Sequence, residues 1–112
     1  MAQAQCVRIP LLPEHGEAFV AWLGSLSSRR AELSALLAEE GMLAELVFVE
    51  RSADGLALVL YTRAADLQAA HARYLASSHP IDVEMRAWQA RALDLSRASL
   101  LTVALEHGVP DA

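Results

Sequence analysis

Two apolar segments joined by a short turn constrain the fold of this chain most strongly. Residues 42–50 (MLAELVFVE) and 56–63 (LALVLYTR) are typical of strands, and the Asp54-Gly55 pair between them favours a tight hairpin because glycine accepts a positive φ. The first strand is apolar on both of its sides, with Leu46 and Phe48 on one side and Val47 and Val49 on the other. A sheet of this kind is covered on both faces. Helices of the same chain cover one face, and we expect a second copy to cover the other.

The spacing of apolar residues predicts the other elements. Residues 5–9 (QCVRI) form a first strand that Pro10 ends. A long helix runs from Pro13 to Gly41, with a bend or break near Gly24 and its neighbouring serines. Two further helices cover residues 64–78 and 80–95, and "SLLTVALEH", residues 99–107, is a closing strand.

The resulting order, β-α-β-β-α-(α)-β, is the split βαβ plan. It predicts an α+β, ferredoxin-like fold with a four-stranded antiparallel sheet, and residues 1–112 form a single domain because no linker interrupts them. The composition is 54% hydrophobic over only 112 residues. A small monomer has too little interior for so many apolar side chains, so we expect a homodimer through the sheet face.

This order, with a sheet apolar on both faces, resembles the dimeric α+β barrel superfamily, which includes antibiotic-biosynthesis-monooxygenase-like proteins. Within it, residues 29–50 (RRAELSALLAEEGMLAELVFVE), residues 58–64 (LVLYTRA) and "SSHPID" at residues 77–82 are similar to a family of small uncharacterised bacterial proteins. The resemblance covers about residues 5–95. It implies the fold and the sheet-to-sheet dimer, and it brings no known reaction. A second His often follows "HPID" in that family, and Met85 stands at that place here.

Charge and motif content exclude several classes of function. A net charge of −5 argues against a nucleic-acid partner, which requires clustered basic residues. No apolar run is long enough for a membrane span, and the N-terminal residues lack the pattern of a secretory signal. With Cys6 as the single cysteine, we expect a cytoplasmic protein. Phosphate-binding glycine loops, CxxC and HExxH are absent from the sequence, so we expect no cofactor and no metal.

One arginine interrupts the apolar stripe of the first predicted helix. Arg30 falls in register with Phe19, Leu23, Leu26, Leu33 and Leu37. An inward arginine requires an anion, or reaches water along its stem. Arg30 therefore either binds a ligand carboxylate or phosphate between helix and sheet, or forms a structural ion pair with Glu45 on the next strand.

Two further residues are candidates for catalysis. His71 lies between Leu67 and Tyr74 on the predicted inner face of the second helix, where an imidazole can act as a general base. Tyr61 lies on the third strand and can line a cavity. Each has a simpler interpretation, because a lone His is more often a hydrogen-bonded, partly buried residue and a strand Tyr usually only packs.

The stretch "SSHPIDVE" combines His79 with Asp82. Because Pro80 keeps His79 extended and suits the first turn of a helix, we interpret the stretch as a helix start. Asp82 would be stabilised there by the helix dipole or by a capping interaction. A metal site would require His71 to converge on the same point, and nothing in the spacing demands it.

Two hypotheses for function follow. In the first, the chain has no catalytic activity: it binds a small organic molecule, an anion being one option, between its helices and sheet, or it is a structural module. The candidate ligand contacts are Arg30, Glu45, His79 and Asp82. In the second, it is a cofactor-independent oxygenase or isomerase that acts on a small organic substrate. The second hypothesis requires Arg30, His71 and Tyr61 to share one cavity.

Overall fold

The predicted hairpin is present at the edge of the sheet. The computed structural model describes residues 2–108, and in it strand β2 (Met42–Ser52) pairs antiparallel with β3 (Gly55–Ala64). Ser52 pairs with Gly55, so Ala53 and Asp54 are the two central residues of the turn. Gly55 has a φ of 109°, a conformation that side chains rarely adopt, and this explains the glycine at that position.

The sheet has four strands in the order β2-β3-β1-β4, and every pairing is antiparallel. Strand β1 (Gln3–Pro10) pairs with β3 along its whole length. Strand β4 (Ser99–Leu100) pairs with the outer edge of β1. The predicted α+β class and four-stranded antiparallel sheet are confirmed, and this strand order is compatible with a ferredoxin-like arrangement.

The prediction of a closing strand over residues 99–107 is wrong beyond Leu100. The Leu101 amide donates a hydrogen bond to the Cys6 carbonyl at 2.9 Å, and the chain then leaves the sheet. Residues 101–108 are exposed, and Leu105 keeps 84% of its surface accessible. The apolar residues of this segment find no opposing layer within the described part of the chain, so their pattern alone does not produce a strand.

The long helix predicted before Gly41 is divided in two. Helix α1 (Gly16–Ser25) is followed by a 3₁₀ turn (Leu26–Arg29) and by helix α2 (Arg30–Glu39). Three serine hydroxyls donate to main-chain carbonyls three residues earlier, from Ser25 to Trp22, from Ser27 to Gly24 and from Ser28 to Ser25. Such bonds compete with helical pairing and account for the break.

Two helices follow the hairpin. Helix α3 (Leu67–Ala76) begins at Asp66, whose carboxylate accepts a hydrogen bond from the Ala69 amide at 3.0 Å. Helix α4 (Pro80–Ala92) begins at the predicted proline and ends three residues earlier than predicted. Leu95 begins a short 3₁₀ turn (Leu95–Arg97) and is exposed.

The helices cover one face of the sheet. Phe19 of α1 stacks on Trp88 of α4, with ring centroids 5.9 Å apart and planes 3° from parallel. Leu58 of β3 packs against this pair, and Ile81 joins a second cluster under α2. No helix in residues 2–108 is long and apolar enough to cross a membrane.

The opposite face of the sheet is open. Leu46 and Phe48 of β2 are 51% and 54% exposed, and the strand register places Cys6, Val59 and Tyr61 beside them. An ion pair between Arg8 and Glu50, at 2.6 Å, crosses the same face. We call this surface the open sheet face.

Candidate functional site

A groove of about 500 Å³ lies between the helices and strand β2. We call it the helix–sheet groove. Its lining residues are Val20, Leu23, Gly24, Leu26, Ser27, Arg30, Leu33, Glu45, Val47, Val49 and Met85. Most are apolar, and the charged side chains among them are Arg30 and Glu45. A second cavity, of about 400 Å³, lies between β1 and residues 100–103 and has no charged residue in its lining.

Arg30 lies at the rim of the helix–sheet groove. It is the first residue of α2, and it is exposed although it lines the groove. Across residues 2–108, no carboxylate lies within 4.0 Å of its guanidinium, so the predicted ion pair with Glu45 is absent. The 3₁₀ turn before α2 explains the difference, because it interrupts the helical register that was predicted to carry Arg30 under the helix.

Glu45 lies on the helix side of β2, opposite Thr62 of β3. Burial raises the pKa of its carboxyl, and the nearby charge of Asp82 raises that pKa further. A carboxyl with a raised pKa in an apolar groove can hold a proton and donate a hydrogen bond.

Asp82 lies in the first turn of α4, as predicted, and the structure adds that it is buried. Only 4% of its surface is accessible, and Glu40, at the end of α2, is 5% accessible. Burial raises the pKa of Glu40 to about 8, with further contributions from a hydrogen bond to Asp82 and from the charge of Asp82. The cause of Asp82 burial is a tertiary contact, since α2 ends against the start of α4.

Glu40 is not distinguished as a candidate by its sequence pattern. It precedes Gly41 in "EEG", where it reads as the end of a helix, and Glu39 beside it is exposed. The family resemblance does include this residue, because Glu40, Glu45 and Asp82 lie in the segments "EEG", "ELVFVE" and "HPID" that resemble the family of small bacterial proteins. The fold brings these three segments together.

His79 is the N-cap residue of α4, and its backbone is extended, as predicted from Pro80. Its Nδ1 accepts a hydrogen bond from the Ile81 amide at 3.1 Å, so the ring proton of the neutral imidazole lies on Nε2. Nε2 is 3.3 Å from a carboxylate oxygen of Glu32, to which it can donate. Both ring nitrogens therefore have structural partners, and His79 does not line the groove.

His71 and Tyr61 do not share a cavity with Arg30. Tyr61 lies on the open sheet face, on the other side of the sheet from the groove. His71 is exposed, because the inner face of α3 follows Leu67, Ala70 and Tyr74, and the placement predicted for His71 is wrong. The residue set required by the enzymatic hypothesis is not assembled. No group of three or more His, Cys, Asp or Glu side chains in residues 2–108 has a geometry that could hold a metal ion.

A family model described as "Family of unknown function (DUF6176)" matches residues 2–107. None of the curated proteins matches the chain.

Proposed function

The chain belongs to DUF6176, a family of unknown function, and we propose that it binds a small organic anion in the helix–sheet groove. The ligand has an apolar body and a single carboxylate or similar group. The observation that carries the proposal is Arg30, an arginine that lines the groove and has no carboxylate within 4.0 Å in residues 2–108.

The size and lining of the groove support a small ligand. Sites for small molecules are concave, have volumes of about 300–1,000 Å³, and combine apolar walls with few polar groups. The groove, at about 500 Å³, is within that range. Its apolar walls come from α1, α2 and β2, which are held by the core rather than by loops.

The charge of Arg30 supports an anion. A guanidinium presents several donors in a planar fork that matches a carboxylate. The chain carries 14 acidic and only 9 basic residues. Because Arg30 has no acidic partner in residues 2–108 despite this excess, its guanidinium is available to an external anion. At the rim, Arg30 can hold the carboxylate while the apolar body of the ligand lies along Val47 and Val49.

Calorimetric titration with octanoate and with 1-octanol tests the proposal. The two ligands share an alkyl chain and differ in charge. We expect Arg30→Gln to weaken octanoate binding about tenfold, the loss of one charge-assisted hydrogen bond, and to leave octanol binding unchanged. Arg63→Gln is the matched control, because Arg63 lies on the opposite face of the sheet. Equal loss with both ligands, or an octanoate affinity that does not depend on Arg30, contradicts the proposal.

We further propose that the open sheet face packs against a second copy of the chain. A two-fold contact places the apolar centre, Leu46 and Phe48, on its own equivalent. The Arg8–Glu50 pair on the same face can meet the oppositely charged members of its copy. Burial of exposed leucine and phenylalanine supplies the driving force.

A further inference from the structure

Two buried carboxyls face each other without a conventional donor. Glu40 Oε2 and Asp82 Oδ2 are buried side-chain oxygens with no hydrogen-bond partner in the described residues. Both residues are more than nine-tenths buried. A carboxylate can only accept hydrogen bonds, so one of the two must carry a proton to supply a donor. A proton on Glu40 satisfies the pair, consistent with its raised pKa.

The groups around the pair do not replace that proton. Arg86 of α4 is the nearby cation, and it lowers the pKa of Glu40 only in part. Its guanidinium donates to the main-chain carbonyls of Tyr74 and Ser77, both at 2.6 Å. Arg73 of α3 donates to the main-chain carbonyl of Glu40 and not to its carboxyl.

The remaining neighbours are acidic or neutral. Glu45 of β2 faces the pair, and its charge raises the pKa of Glu40. The Tyr74 hydroxyl, from α3, donates to Gln89 at 2.9 Å, and burial raises its pKa, so Tyr74 stays neutral. The cluster of Glu40, Glu45 and Asp82 therefore has more negative charge than its cations balance, and protons are the available compensation.

Glu45 connects this cluster to the helix–sheet groove, because it is the member that lines the groove. An anionic ligand that enters adds a negative charge beside Glu45 and displaces water. Both changes favour the protonated carboxyl. We infer that the groove binds its ligand together with a proton, held by the cluster of Glu40, Glu45 and Asp82, so that its ligands are weak carboxylic acids taken up as the anion plus a proton.

The inference rests on the proposed function, and its chemistry is limited to one acid–base step. One O–H bond forms when a proton from solvent joins a carboxylate oxygen of the cluster as the ligand carboxylate binds at Arg30. The same bond breaks when the ligand leaves. No other bond changes, and no oxidant or reductant is required.

Calorimetric titration of octanoate in buffers of different ionisation enthalpy measures the number of protons that the protein takes up per octanoate bound. We expect the observed enthalpy to depend on the buffer, with a net uptake that is small below pH 8 and approaches one proton per octanoate above it, where the ligand-free protein has lost the Glu40 proton, and the Kd to rise up to tenfold per pH unit in that range. Glu40→Gln should bind octanoate with little buffer dependence, because it removes the carboxyl that titrates near pH 8 and does not line the groove. Glu39→Gln is the control, because this neighbouring carboxylate is exposed and should leave the proton uptake unchanged.

The outcomes separate the two proposals. Octanoate binding whose enthalpy does not depend on the buffer overturns proton uptake and leaves the proposed function standing. Absence of octanoate binding in every buffer overturns both. A carboxyl carbon-13 NMR titration of the ligand-free protein is a second check. We expect the Glu40 resonance to titrate near pH 8, and titration of both Glu40 and Glu45 at ordinary values overturns the inference even if octanoate binds.

Discussion

Glu40 and Asp82 lie against each other in the interior, one at the end of α2 and the other in the first turn of α4. Each has a carboxylate oxygen that no other group in residues 2–108 satisfies. The pair joins two helices through a single proton. This relationship makes the stability of the fold depend on pH.

We expect the free energy of unfolding to decrease as the pH rises from about 4.5 to about 8. The pKa of Glu40 is about 8 in the folded state and near 4.5 when unperturbed, so the folded chain binds this proton more tightly. Its contribution to the free energy of unfolding is complete below about pH 4.5 and is lost as the pH rises towards 8. Urea unfolding at several pH values measures it.

Substitution of Glu40 tests whether this carboxyl is responsible for the pH dependence of stability. Glu40→Gln retains a donor to Asp82 and removes the titration. Its free energy of unfolding should therefore vary less with pH and exceed that of the wild type at high pH by about 1–2 kcal/mol. Glu39→Gln should follow the wild type, because Glu39 is exposed. An unchanged pH profile in Glu40→Gln contradicts the shared proton.

Because His79 caps α4, substitutions at this position should change the stability of the protein in a specific order. His79→Ala removes the acceptor for the Ile81 amide and should destabilise the protein by about 1 kcal/mol. His79→Asn offers an equivalent acceptor and should recover most of that loss. Urea midpoints at equal protein concentration measure both. Equal stability of the alanine variant and the wild type would show that the cap contributes nothing.

We expect alanine substitution to have opposite effects on stability at two glycine positions. Gly41 has a φ of 80°, and an added Cβ would lie 2.8 Å from an Arg73 nitrogen, so Gly41→Ala should destabilise by about 1–2 kcal/mol. Gly24 lies in α1 with no atom within 4 Å of an added Cβ, so Gly24→Ala should stabilise by about 0.5 kcal/mol. Thermal unfolding compares them, and the same sign for both would refute this interpretation.

The proposed dimer predicts that a charge on the open sheet face separates the protomers. Phe48 is 54% exposed at its centre, so Phe48→Arg should give a monomer in sedimentation velocity at a concentration where the wild type is a dimer. Leu105→Arg is the control, because Leu105 lies in the exposed segment after β4. A monomeric wild type at micromolar concentration would exclude this contact.

The sequence predicted the elements that depend on local rules. The period-two strands, the glycine after the hairpin turn and the helix start at Pro80 all follow from backbone preferences of neighbouring residues. The division of the first long helix was predicted in outline from Gly24 and the serines. The prediction of a longer β4 was wrong because a strand requires a pairing partner along its length. Only Ser99 and Leu100 of the predicted segment pair with β1 in the described part of the chain.

The candidate site was less accessible to sequence reasoning because it depends on tertiary contacts. An ion pair with Glu45 was one of the two alternatives for Arg30, and both residues line the groove without forming it. Asp82 satisfies every local rule of a first-turn carboxylate, so nothing in its own segment indicates the contact with Glu40 that buries it. Such a contact joins residues more than forty positions apart.

Binding in the helix–sheet groove can be observed directly in an NMR titration of the isotope-labelled protein with octanoate, followed through its backbone amides. We expect saturable shifts concentrated on the groove, at Arg30, Leu33, Val47 and Val49, and we expect them to be absent from the same titration of Arg30→Gln at low octanoate concentration. Shifts confined to the open sheet face, around Phe48 and Tyr61, or no saturable shifts at all, would contradict binding in this groove.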